Sequence, residues 1–126
     1  MAETKSTNPY DHLLTRVETP IMEEVPWELV KTIEIFEEGN ERIRVFTANP
    51  ISFRWFVGCE ICVPEIGDRI YSSVNDCAKV GYATSEQDAI LFMLGRIIAN
   101  FGDKLPGHVA HSVKQAIFNY RQRSLF

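Results

Sequence analysis

Cysteine is scarce in this chain. Three Cys in 126 residues are an odd, small number and suggest no disulfide framework, so a reducing, cytoplasmic setting is expected. No apolar run approaches the roughly 18 residues of a membrane-spanning helix. The opening Met-Ala-Glu-Thr-Lys-Ser leads into no apolar stretch, so no secretion signal is predicted. Seven Gly and six Pro are too few for a fibrous or low-complexity chain. A Gly-rich phosphate loop, a nucleophile elbow, a kinase signature and a zincin motif are all missing. No catalytic residue, no metal ligand set and no cofactor is therefore nominated, and a protein that is not an enzyme is expected.

Hydrophobic residues make up 45% and charged residues 24%, the balance of a soluble globular protein. At this length one domain over 1–126 is expected, with a loose tail at 1–8 and a short helix and connector at 9–26. The net charge of −4 is unevenly spread. Between Glu18 and Glu41 lie eight acids and a single base, Lys31, whereas from Lys104 onward there are four bases and no acid. A small domain with one acidic and one basic end can steer a charged partner.

Asn8-Pro9 reads as an N-cap with Pro at the first helical position. Tyr10, Leu13, Leu14 and Val17 form an apolar stripe, which predicts a helix over 9–17, ended at Thr19-Pro20. From Glu28 the period becomes two, predicting a strand to Phe36, a hairpin loop at 37–41 around Gly39-Asn40, and a return strand over 42–47. Asn49-Pro50 predicts a turn. Residues 51–63 alternate throughout: Phe53, Trp55, Val57, Cys59, Ile61 and Val63 on one parity, with Arg54, Phe56, Gly58 and Glu60 on the other. A helix would scatter such a set around its cylinder, so this is a long strand. Further strands are predicted at 69–74 and 79–83, with Asn75-Asp76 as a turn.

Thr84 or Ser85 caps a helix whose stripe is Ile90, Met93, Leu94, Ile97, Ile98 and Phe101, and Gly102 stops it. A last helix runs from Pro106 to about Gln122. The whole predicts an α+β two-layer sandwich: an antiparallel sheet of about four to five strands, two C-terminal helices on one face and a short N-terminal helix.

Two helices cover only one face of a sheet. With Phe53, Trp55 and Val57 set inward, the other face carries Arg42, Arg44, Phe46, Arg54 and Phe56, with Phe36, Glu34 and Glu60 nearby. Exposed Phe on a sheet face brings no packing gain. Three uses are open. The face could be a protein or homo-oligomer interface, where aromatics and Arg are enriched. It could be a single-stranded nucleic-acid platform, aided by Lys114, Arg121 and Arg123 of the last helix. Or the N-terminal helix could fold over it. The acidic total disfavours generic phosphate-backbone binding, so the expectation is a small non-catalytic binding or regulatory protein acting through a protein interface. Cys59 and Cys62 fall on opposite faces of one strand and do not make a metal or redox pair. His108 and His111 share a helix face without an acid nearby and read as exposed polar residues.

Overall fold

The structure, a computed structural model, describes residues 7–18 and 24–123. Four antiparallel strands form the main sheet in the order β2-β3-β4-β5: β2 (Lys31–Glu38), β3 (Glu41–Ile51), β4 (Arg54–Cys62) and β5 (Ile70–Ser72). A separate two-stranded ribbon pairs β1 (Thr15–Arg16) with β6 (Gly81–Tyr82). The helices are α1 (Val74–Ala78), α2 (Glu86–Phe101) and α3 (Gly107–Arg123). This is the α+β arrangement that the change of period along the chain implies.

The hairpin between β2 and β3 is tighter than expected. Glu38 pairs with Glu41, leaving a two-residue loop in which Gly39 has φ +61°, a conformation open to Gly at little cost. The next turn is displaced. Asn49-Pro50 lies inside β3, where the register slips between Ala48 and Ile51; a bulge tolerates a residue that cannot donate to the ladder. The chain reverses instead at Ser52-Phe53, held by Asn49 Nδ2 donating to the carbonyls of Ile51 and Arg54, both at 2.9 Å. Phe53 sits at the tip with φ +63° and is 81% exposed, so the expected inward position fails for this residue.

For the rest of β4 the parity holds. Val57, Cys59, Ile61 and Val63 join Ile43 and Val45 in a core closed by Ile90, Met93, Leu94 and Ile97 of α2 and by Val109 and Val113 of α3. Trp55 is only half-buried at its margin. Phe36 is inward as well. A bulge at Ile35 places Phe36 opposite Ile43, and its ring meets the His108 ring edge-on at 5.7 Å. Ser85 caps α2 by accepting from the Asp88 N–H at 3.1 Å.

The N-terminal helix is present only as a 3-10 turn, Asp11–Leu13. It packs on α2, not over the outer face of the sheet. Asn8 Nδ2 donates to the Phe92 carbonyl at 3.0 Å, and the approach is so close that a Cβ on Gly95 would lie 2.1 Å from Asn8 Oδ1. Thr19-Pro20 and residues 1–6 lie outside the described residues.

The largest departure is residues 73–83. Asn75-Asp76 is not a turn but part of α1, started by a full capping box in which Ser73 Oγ accepts from the Asp76 N–H and Asp76 accepts from the Ser73 N–H. The expected fifth strand shrinks to β6, which leaves the main sheet to pair with β1, and the residue after it, Ala83, forms an isolated bridge with Trp55 of β4. Helix α1 lies on the sheet face opposite α2 and α3. It encloses a second small cluster of Val25, Ala48, Phe56, Val74 and Ala78.

Candidate functional site

The outer face divides into a charged half and an apolar half, and strand register assigns residues to each. Glu34, Arg44, Glu60 and Tyr71 stand in one cross-strand row over all four strands. Glu37, Arg42 and Cys62 form the row on one side, and Thr32, Phe46 and Gly58 the row on the other.

Glu60 is the centre of the charged half. It is 4% exposed. Arg42 Nε donates to its Oε1 at 3.0 Å, Arg69 Nε donates to Oε2, and an Arg44 nitrogen lies 3.8 Å from Oε1. Arg44 also donates to Glu34 at 2.8 Å and lies 3.8 Å from Glu37. Burial by itself would raise the Glu60 carboxyl, but the hydrogen bonds and charges of Arg69 and Arg42 outweigh it and hold the group below its ordinary range. In turn, the hydrogen bond to Glu60 raises the Arg69 guanidinium and that to Glu34 raises the Arg44 guanidinium. A carboxylate with both oxygens occupied and a lowered proton affinity is poorly suited to general-base work near neutrality.

The apolar half is a groove of about 450 Å³ between a 3-10 turn, Trp27–Leu29, and the start of α1. Val25, Val30, Phe46 and Val74 form its apolar lining, and Thr32, Ser73 and Asn75 supply polar atoms. Val25 is fixed by its N–H donating to Asn75 Oδ1 at 2.7 Å. Trp27 stands at the rim, 79% exposed. Tyr71, also exposed, packs its ring 5.8 Å from Phe46 and lies under the Arg69 guanidinium at 4.7 Å.

The residues expected to share one surface do not all do so. Arg42, Arg44 and Phe46 are together on this face, half-buried. Phe56 has the expected parity but is completely buried beneath α1 and offers no contact surface. Arg54 lies away at the β6 side, its guanidinium 4.7 Å above the Tyr82 ring. Lys114, Arg121 and Arg123 are exposed on α3, in the helical layer across the sheet, with Arg123 stacked on Tyr120 at 4.4 Å. Trp27, Arg69, Tyr71 and Asn75 were not foreseen. Trp27 hid in a connector without periodicity, and Ser73-x-x-Asp76 is the capping-box spacing that would have revealed α1. Cys59 faces the core and Cys62 the outer face, and among the described residues no three His, Cys, Asp or Glu gather as a metal site. No helix of the described residues is long and apolar enough to cross a membrane.

Set against family models, curated proteins and solved structures, the chain has no match, and the chemistry of the site itself carries the functional reading.

Proposed function

We propose that this chain is a small non-catalytic binding protein that engages a protein partner through its outer sheet face. Trp27, Phe46 and Tyr71 are the apolar anchors, and Arg42, Arg44 and Arg69 with their carboxylate partners form the charged rim. The observation that carries this reading is the exposed Trp27 beside an aromatic-walled groove. Trp, Tyr and Arg are the residues most often found at interface hot spots, and an apolar centre with a polar rim is their usual setting. The same face argues against phosphate. Its arginines are engaged by Glu34, Glu37 and Glu60, and neutralising a nucleic-acid backbone needs cations free to replace its counterions.

Light scattering in solution separates a second copy of this chain from a different partner. Trp27→Ala and Tyr71→Ala should stay folded and lose either the self-association or the captured partner, while Lys114→Ala on the opposite layer should keep it. Full retention by both aromatic variants would sink the proposal.

A second reading, single-stranded nucleic-acid binding, is favoured only on α3, where Lys114 and Arg123 are exposed and Phe118 is uncovered nearby. It requires affinity for a mixed-sequence oligonucleotide to fall with salt, log K changing by about −0.7 per neutralised phosphate. Absence of binding at low salt removes it.

A further inference from the structure

The β5 edge of the sheet is incomplete. Residues 59–61 of β4 pair with β5, and Trp55 bridges Ala83. Residues 56–58 between them have no strand on that side. Cys77 of α1 occupies part of the gap, its Sγ donating to the Gly81 carbonyl at 3.6 Å. The rest is a cleft beneath α2, made of two adjoining cavities of about 220 and 100 Å³ that share Ser72, Met93 and Arg96.

We propose that this cleft binds a small carboxylate with an aryl or alkyl body, its anionic head on Arg96 and its body against Val57, Phe92 and Met93. The proposal goes beyond the partner interface and uses different side chains. Size comes first. An engineered apolar cavity of about 150 Å³ is enough to hold benzene, and the larger cavity here exceeds it. Charge comes next. The cleft carries three ionic groups, Arg16, Asp76 and Arg96. Arg16 is paired with Asp11 at 3.3 Å, and Asp76 accepts from the Ser73 N–H at 3.1 Å in the capping box. Among the described residues Arg96 has neither an ion pair nor a side-chain hydrogen bond, although it lines both cavities. A guanidinium offers a carboxylate two parallel donors, the strongest recognition available to a planar anion.

The thiols do not compete for that charge. Burial raises both, Cys59 to about 11, so each is neutral near pH 7. Asp76 repels an anion at its own end, which leaves the end formed by Arg96, Ser72 and Asn100 for the head group.

The test is a titration with 3-phenylpropionate and with octanoate, followed by amide and methyl chemical shifts in the intact protein, with 3-phenylpropan-1-ol as the uncharged control. Saturable shifts are expected at Ser72, Cys77 and Met93, and none at Trp27. The alcohol should bind about tenfold more weakly than its acid, the scale of one charge-assisted contact. Arg96→Gln should bring the acid down to the level of the alcohol and leave the alcohol unchanged; a thermal melt checks that this surface variant is folded. No saturable shift with either acid at millimolar concentration, equal binding of acid and alcohol, or indifference to Arg96→Gln would each overturn the proposal.

Discussion

Both oxygens of the Glu60 carboxylate are engaged by arginine, and this fixes how the outer face responds to acid. The native group binds a proton less readily than the unfolded chain, whose ordinary value is 4.5. Stability from it is therefore present above that value and lost as pH falls through the lower native one. Glu60→Gln should lower the melting temperature at neutral pH, and the gap from the parent should narrow between about pH 5 and 3. Parallel melting curves across that window would contradict it. Phe56 shows a different dependence on surroundings. Its parity is readable from β4, but burial is decided by α1, and the side chain is fully enclosed. Phe56→Ala should cost about 3–5 kcal/mol, a large share of the 5–15 kcal/mol typical of a domain. Trp55→Ala should cost less, because the side chain is half-exposed, and Arg54→Ala least, at about 0.5–1 kcal/mol for its contact with Tyr82. Denaturant melts rank the three, and a Trp55 loss above that of Phe56 would reverse the assignment of the better-packed face.

The long elements were legible in the sequence because their periods are long enough to read. The stripe from Ile90 to Phe101 repeats over three turns, and β4 alternates over nine residues. What escaped was short or irregular. Helix α1 has five residues, too few for a 3.6-residue period, and only its cap carries a local signal. The bulge at Ile35 moves Phe36 inward without any mark in an alternating pattern. Pro50 resembles a turn residue, yet a register slip accommodates it. Alternation places Gly58 on the outer parity but carries no sign of why a glycine stands there. The chain from β5 into α1 crosses directly over it, so an added Cβ would lie 2.2 Å from the Ser72 carbonyl and 2.9 Å from the Ser73 carbonyl carbon. Backbone cannot yield as a flexible side chain can. Gly58→Ala should cost about 1–3 kcal/mol or more, displace α1 and distort the groove beside Phe46. A melt and the Trp27 fluorescence report both effects, and an unchanged Gly58→Ala protein would mean that the crossing is loose.

At the scale of the molecule the sheet separates two unequal layers. The helical layer carries the main core, with Ile43, Val45, Val57, Ile90, Leu94 and Val113 among its fully enclosed side chains. Among the described residues, five buried apolar side chains hold residues 24–30, α1 and their groove. Much less apolar area is removed from water there, so this layer should open on its own, well below the free energy of global unfolding. Its content could not be read from hydrophobic pattern, since Val25, Val74 and Ala78 come from separate short segments that meet only in space. Hydrogen exchange can test the division. Val113→Ala weakens the helical layer by about two methylene equivalents, enough to speed exchange of the α2 amides about tenfold if they exchange through global unfolding. The Val25 and Val80 amides, bonded to Asn75 Oδ1 and the Cys77 carbonyl, should not change, because their opening leaves Val113 packed. A common acceleration would mean that the protein unfolds as one unit. Independent opening would place the groove beside Trp27 on the softer layer, where any occupant would slow Val25 and Val80 exchange in proportion to its own affinity while leaving the helical core as stable as before against all but global unfolding.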